Sequence, residues 1–311
     1  MKNIKVLVLM GGKSSEREVS LASGKSVAKA LRDAGFETVT LDLDGNNLSE
    51  IASIRPDVAF IALHGKGGED GAVQGVLEWL GIPYTGPGLA ASAVCMDKIL
   101  TKKLLTLSGV ATPRFLELGL VKEKDVKEAA KRAVDTLGLP VVFKASRQGS
   151  SIGIVIVHRE EEAEESLRSL LAIGDPILAE EFLSGKELSV PVLGNTSPEI
   201  LPIIEITSDG AFYDYHSKYT PGKSRHIIPA EILPEQTEKA RELAKKAYLA
   251  TGCRGYSRVD LLLDENGDPQ VLEVNTAPGM TDTSLFPDAA KAAGLDFPQL
   301  VEKIVNLALE S

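Results

Sequence analysis

The first patterned stretch of the chain is a short apolar run, Ile4 to Met10, closed by Gly11 and Gly12. A run of that length ending in a tight-turn pair predicts a buried strand of a parallel sheet. Val19, Ala22, Val27, Ala30, Leu31 and Ala34 then recur at helical spacing until Gly35, with Ser15 and Glu18 spaced as a capping box at the start. Strands are predicted at Thr38 to Leu43 and Asp57 to Leu63, the second followed by the glycine-rich stretch His64 to Gly71 and a helix to Leu80. This β-α-β-(α)-β-α order describes an open parallel α/β sheet with its loops at the strand C-terminal ends.

Beyond Asp97 the pattern changes. A helix through Leu107, a turn at Val110 to Pro113 and a charged helix from about Lys122 to Leu137 precede the strand Pro140 to Ala145. The polar loop Ser146 to Ser151 connects it to the strand Ile152 to Val157 and reads as a hairpin connection. A helix from Arg159 to Ala172 leads to the strand Ile177 to Phe182. The last third carries strands near Leu188 to Val192 and Glu199 to Ile206, a long polar loop, a helix from Pro234 to Ala250, a hairpin and two closing helices. These textures divide the 311 residues into three α/β or α+β units at 1–95, 96–182 and 183–311, the last with a lid loop at about 208–229 and a hairpin at 257–275.

Composition narrows the function classes. Apolar residues make up 43% and charged residues 25%, with 28 Gly and 16 Pro, the makeup of a globular protein with ample core. Against 34 Lys+Arg stand 44 Asp+Glu, a net charge of −10. Duplex binding draws on a surplus of basic side chains, so this balance argues against a dedicated nucleic-acid partner. Cys95 and Cys253 form no CxxC and have no neighbouring His at ligand spacing, which reads as free thiols in a reducing cytoplasm. The longest apolar run of note, Val58 to Leu63, is far below the roughly 20 residues that span a bilayer, so no membrane partner is expected.

The hairpin carries the sharpest chemistry. If Asn266-Gly267 forms a two-residue loop, Asp260 stands opposite Glu273 and Arg258 opposite Asn275, all on one face, while Val259, Leu261, Leu263, Leu272 and Val274 share the other. Oxygen ligands gathered this way suit a hard cation that leaves room for water and phosphate, as Mg²⁺ does when it carries a nucleotide. A solvated polar face with chance acids is the plain alternative, and a one-residue slip would disperse the set. Lys144, at the end of an apolar strand beside Gly149, Ser150 and Ser151, and Lys98, after Asp97 at a helix start, are placed to meet phosphates. Each taken alone is an ordinary surface lysine. Neither GxxxxGK[ST] nor GxGxxG occurs, so the P-loop and the Rossmann fingerprint do not apply.

Five segments together carry a resemblance: Gly11 to Ser20 (GGKSSEREVS), His64 to Gly71 (HGKGGEDG), Met96-Asp97-Lys98, Gly149 to Gly153 (GSSIG) and Glu273 to Thr281 (EVNTAPGMT). In order and spacing they resemble the D-alanine–D-alanine ligase family of ATP-grasp enzymes, over essentially the whole chain. The resemblance implies a three-domain ATP-grasp fold and ligation of two D-alanines to D-alanyl-D-alanine through a D-alanyl phosphate, a step toward peptidoglycan precursors. It implies ATP and two Mg²⁺ ions, with Mn²⁺ as a substitute, and a homodimer.

It also implies roles. Asp260, Glu273 and Asn275 would hold metal; Lys98, Lys144, Ser150 and Lys218 would contact phosphates; Arg258 and the Gly279 N–H would stabilise the oxyanion formed when the amine attacks. Glu180 would accept from the adenine amino group, the backbones of Glu181 and Leu183 beside Phe182 would read the ring edge, and Glu187 would bind ribose. Glu16 would receive the first ammonium and join Ser151 and Tyr219 across the closed site. Val19 and His64 would line the first amino-acid site, Ser284 and Leu285 the second. Lys218-Tyr219 in the lid favours an amine over D-lactate as second nucleophile, while Ala145 and Gln148 depart from the commonest pattern without removing a ligand. A depsipeptide or other D-amino-acid ligase, and a nucleotide-binding relative without catalysis, remain the competing readings.

Overall fold

In the computed structural model of the chain, β1 (Lys2–Gly11) is the middle strand of a parallel sheet, between β2 (Phe36–Leu43) and β3 (Val58–Ile61). The structure describes residues 2–149, 152–208, 224–281 and 284–310. Val6 to Leu9 have no exposed surface, because the alternation of a strand delivers them to two different cores. Val6 and Val8 meet Val27 and Leu31 of α1 (Arg17–Asp33), and Leu7 and Leu9 meet Ile51 of α2 (Leu48–Ile54) and Leu77 of α3 (Ala72–Leu80).

The α1 start differs from the capping-box expectation. Glu16 takes the N-cap position with no side-chain cap bond, and Ser14, rather than Ser15, organises the turn. Its Oγ accepts from the Glu16 N–H at 3.2 Å and donates to the His64 carbonyl at 2.7 Å. A contact to the next loop outweighs the local pattern, and it brings two glycine-rich loops together at the strand ends.

A second, antiparallel sheet has the order β4-β7-β5-β6, from β4 (Phe115–Gly119), β5 (Val141–Ala145), β6 (Ile154–Val157) and β7 (Ile177–Glu181). Beneath it lie α6 (Val126–Leu137) and α7 (Glu160–Leu170), whose Val126, Ala130, Ala163 and Leu167 form one core with Phe143 and Ala179. Preceding this sheet are α4 (Leu89–Met96) and α5 (Lys98–Leu107). Asp97 caps α5, accepting from the Ile99 and Leu100 N–H groups at 3.1 and 3.2 Å.

The third sheet runs β11-β10-β8-β12-β13, with β9 against β8. Its strands are β8 (Gly185–Leu193), β9 (Glu199–Ile200), β10 (Ile204–Ser208), β11 (Ser224–Ile227), β12 (Tyr256–Asp264) and β13 (Pro269–Asn275). The strand expected over Glu199 to Ile206 is thus two, separated at Leu201-Pro202-Ile203. The expected loop at 208–229 contains β11, paired antiparallel with β10; residues 209–223 lie outside the described residues. Covering this sheet is α8 (Pro234–Ala250), and α9 (Leu285–Ala292) and α10 (Phe297–Leu309) carry the chain back to the first sheet, where Phe286, Leu300 and Ile304 share a core with Val6 and Val27. Cys95 and Cys253, both buried and free, share the core under this sheet, where Cys253 Sγ lies 3.3 Å from Thr251 Oγ1. Among the described residues no helix is long and apolar enough to cross a membrane.

The β12–β13 hairpin reaches the expected register by a different route. Its loop has three residues, Glu265 to Gly267, with the Gly267 N–H on Asp264 O at 2.9 Å and the Asp264 N–H on Asp268 O at 3.1 Å, and Gly267 at φ 82°. That turn pairs Leu261 with Val271 instead of Leu272. A bulge at Leu272 then restores the register, so Asp260 faces Glu273 and Arg258 faces Asn275 as expected. The correction falls on the apolar face: Val271 is fully buried in the core, and Leu272 is only half-buried.

Candidate active site

Residues from all three sheets converge where the strand ends meet. On the hairpin, Asp260 Oδ1 accepts from Arg258 Nε at 2.9 Å and Ser189 Oγ at 2.7 Å, and its Oδ2 accepts from Arg258 and from Asn275 Nδ2, each at 2.8 Å. A carboxylate only accepts, so the Asn275 amide is oriented with Oδ1 turned away from Asp260. Glu273, directly opposite Asp260, has its Oε2 3.4 Å from Lys98 Nζ, which also donates to Gln148 O at 2.7 Å. Two carboxylates and an amide oxygen on one strand pair are the hard donors Mg²⁺ takes. Among the described residues no group of three or more His, Cys, Asp and Glu side chains gathers as a metal cage.

Above the hairpin a cavity of about 410 Å³ is lined from one side by Glu16, Val19, His64 and Glu69 and from the other by Arg258, Glu273, Asn275, Gly279, Ser284 and Leu285, with Gly149 between. Glu16 is buried, and a Cβ on Gly65 or Gly149 would lie 2.8 or 3.2 Å from its Oε2. Gly65, at φ 68°, is where the loop needs glycine to wrap the carboxylate, while a side chain at Gly149 would press on it. His64 is buried between α1 and the loop that follows β13. Its Nδ1 lies 3.0 Å from Ala277 O, an acceptor, so Nδ1 carries the proton and Nε2 accepts from Ser23 Oγ at 3.1 Å. Ser23 Oγ accepts in turn from the Met280 N–H at 3.2 Å. This chain fixes the loop 276–281 against α1. At its end Ser284 Oγ accepts from the Thr281 N–H at 3.0 Å, and a Cβ on Gly279 would stand 2.9 Å from it.

The central sheet supplies cations. Lys144 and Glu180 are diagonal neighbours on one face of β5 and β7, and Lys144 Nζ donates to Glu180 Oε1. Glu180 Oε2 lies 2.5 Å from Lys102 Nζ. Burial alone would push the Glu180 carboxyl up; Lys144 and Lys102 outweigh it and hold it below the usual carboxylate range. Glu180 thus accepts a hydrogen bond from Lys144 and forms an ion pair with Lys102, which qualifies the reading of it as a simple acceptor for adenine. Glu181 is engaged too, accepting from the Arg114 N–H at 2.7 Å and Arg114 Nε at 2.6 Å, while its own N–H donates to Arg114 O at 2.9 Å. Phe182 packs 6.3 Å from the His158 ring, Leu183 follows between the strands, and Glu187 is half-buried on β8 opposite Ile206 and Leu262. Ser150, Ser151, Lys218 and Tyr219 lie outside the described residues.

Comparison with known proteins decides the family. The D-ala D-ala ligase C-terminus model matches residues 104–306 and the D-ala D-ala ligase N-terminus model residues 5–50 and 46–87. The chain belongs to the D-alanine–D-alanine ligase family. It is 51% identical to the D-alanine–D-alanine ligase of Moorella thermoacetica over 99% of this chain and 100% of that one. With the ligase of Desulforudis audaxviator it shares 52% identity over 97% of this chain and 98% of the relative. A solved D-alanine–D-alanine ligase from Bacillus anthracis, complexed with ATP, superposes with a TM-score of 0.86 at 34% identity, covering 99% of this chain and 98% of the other.

In this ligase-family chain, reasoning from sequence missed several residues at the site. Glu69 lines the cavity with its Oε2 accepting from the Gly65 N–H at 2.9 Å, and its place five residues beyond His64 in the glycine-rich loop was the available signal. His226, on β11, also lines the cavity with its Nδ1 2.9 Å from Asp288 Oδ2; inside an expected loop, it gave no signal. Ser23 and Lys102 are polar residues on helix faces that are otherwise buried, a pattern that could have marked both.

Proposed function

We propose that the chain joins two D-alanines at the expense of ATP, giving D-alanyl-D-alanine, ADP and phosphate, as a cytoplasmic step toward peptidoglycan precursors. The observation that carries this reading is the cavity shared by Glu16 and His64 on one side and Arg258, Gly279 and Ser284 on the other, beside the cationic face of Lys98 and Lys144. A first ammonium is received by buried Glu16, with Val19 and His64 shaping its pocket; the second amino acid sits at Ser284 and Leu285. Phosphoryl transfer to the first carboxylate gathers negative charge, which Lys98, Lys144, Ser150 and Lys218 offset from the nucleotide side. Two Mg²⁺ ions, for which Mn²⁺ can substitute, would be held by Asp260, Glu273 and Asn275 and supply charge neutralisation at the phosphates. Arg258 and the Gly279 N–H are placed for the oxyanion formed when the second amine attacks the D-alanyl phosphate. Phe182, Leu183 and the Glu181 backbone would bound adenine and Glu187 the ribose. Glu16, Ser151 and Tyr219 would link the three units, proposed at 1–95, 96–182 and 183–311, on closure.

The deciding measurement is ADP release with D-alanine alone, with D-alanine plus D-lactate, and with other D-amino acids. Turnover with D-alanine alone is expected; ADP release only when D-lactate is added would identify a depsipeptide ligase, and none with any acceptor a non-catalytic relative. The active form is proposed to be a homodimer, for which the exposed Trp79 on α3, 92% accessible beside Leu80, offers an apolar face. A light-scattering mass equal to a single chain would refute that.

A further inference from the structure

Lys102 is the most buried charged side chain next to the site, and none of the roles above uses it. Its side chain is 1% exposed, against 11% for Lys144, so of the two lysines on Glu180 only Lys144 opens toward solvent. The Lys102 ammonium is held on several sides. It meets Glu180 Oε2 at 2.5 Å, Thr112 Oγ1 at 2.7 Å and Pro113 O at 3.3 Å, and stands 5.5 Å from the centre of the Phe115 ring. Two of its donors go to Thr112 and Pro113 and its charge faces Glu180, so the ammonium is held inward and away from the solvent side where a phosphate would sit. Thr112 cannot swing away, because its hydroxyl proton is committed to Val271 O at 2.7 Å on the metal-face hairpin.

We propose that Lys102 is a positioning residue that keeps Lys144 available to the nucleotide, by claiming one oxygen of Glu180 so that this carboxylate does not neutralise Lys144. The inference rests on the ATP-dependent ligase reading. With Lys102 in place, the buried cluster holds two cations against one anion, and the surplus charge belongs to the lysine that reaches outward. When Lys144 turns to phosphate, Glu180 is left with Lys102 as a neutral pair instead of as an orphaned buried carboxylate. Without Lys102, the same movement would strand Glu180 in a dry site, so Lys144 would stay on it. The charge on Lys102 is itself titratable near neutrality: burial lowers it to about 8, against the pull of Glu180, with Lys144 lowering it further and Glu181 opposing. Lys98, one turn earlier on α5, is turned to Glu273 and Gln148.

The test is ATP binding and steady-state kinetics on the intact chain. Lys102→Met leaves the neutral pair Lys144–Glu180, so the fold is expected to survive, with the KM and Kd for ATP raised about tenfold and kcat changed far less, the split of a lost binding interaction. Lys102→Arg is expected to restore most of the affinity. In the wild type, ATP affinity should fall as pH rises through about 8, and that fall should vanish in Lys102→Met. The decisive comparison is in the Glu180→Gln background, where no carboxylate competes for Lys144: there Lys102→Met should cost no further affinity. An equal loss in both backgrounds, or none in either, overturns the proposal, since a merely structural lysine acts regardless of Glu180. If the wild type itself neither binds ATP nor releases ADP, the ligase reading fails instead.

Discussion

Two buried carboxylates anchor this site, and they are held in opposite ways. Glu180 lies in the central sheet between two lysines, so the cluster carries surplus positive charge. Asp260 lies on the hairpin among one arginine and two neutral donors, with a second carboxylate, Glu273, directly across the ladder. Counting Lys98, which pairs with Glu273, the hairpin face balances to zero. One region thus carries surplus positive charge, and the other sets two carboxylates among donors that balance them. Neither property follows from the net charge of −10, which describes the surface as a whole.

The largest break in this contrast should come from Arg258. Replacing it with Ala removes both the cation placed for the oxyanion and the bidentate partner of Asp260, leaving that carboxylate only Ser189 and Asn275. The ligation rate is expected to fall about 10²–10³-fold, as for loss of an oxyanion donor. Arg258→Lys, which keeps charge without the fork, should fall between. If Arg258→Ala retained more than a tenth of the wild-type rate of ADP release, oxyanion stabilisation would have to be assigned elsewhere.

How much of this was legible beforehand depends on where the information sits. The parallel first sheet, with its loops at strand ends, follows from periods and glycines alone, because each side chain there answers to its own neighbours. On the hairpin the Asp260–Glu273 pairing was reached although the turn assumed was one residue short, since the bulge at Leu272 compensates. Val271 and Leu272 are both apolar, so no pattern could say which points inward. The start of α1 failed for a different reason: Ser15 and Glu18 satisfy a local rule, but Ser14 has a partner in His64, fifty positions away. The buried stripe of α5 that Lys102 shares with Ile99 and Leu105 is the local pattern that marks it. That Glu180 meets two lysines is set by contacts 36 and more positions away in the chain, which no local pattern encodes.

A smaller effect should separate the two walls of the amino-acid cavity. Ser23→Ala removes the hydroxyl between His64 Nε2 and the Met280 N–H, stranding two buried polar groups. A loss of about 1–3 kcal/mol in denaturant unfolding is expected, together with a raised KM for D-alanine and an unchanged KM for ATP, since the lysine cluster is on another sheet. Equal rises in both constants would mean that the loop 276–281 positions the nucleotide as well.

The smallest effect concerns stability in acid. Glu180 and Asp97 are both held below the usual carboxylate range: burial opposes this in each, and it is outweighed by Lys144 and Lys102 in the first and by Ser146 and Arg147 in the second. A carboxyl lowered in the folded state binds fewer protons there than when unfolded, so its contribution is complete above the unfolded value of about 4 and is lost as pH falls through the folded value. The unfolding free energy should therefore decline below about pH 4, and Glu180→Gln should flatten that decline. If Glu180→Gln left the slope below about pH 4 as steep as in the wild type, the pull of Lys144 and Lys102 would not be what holds the Glu180 carboxyl down.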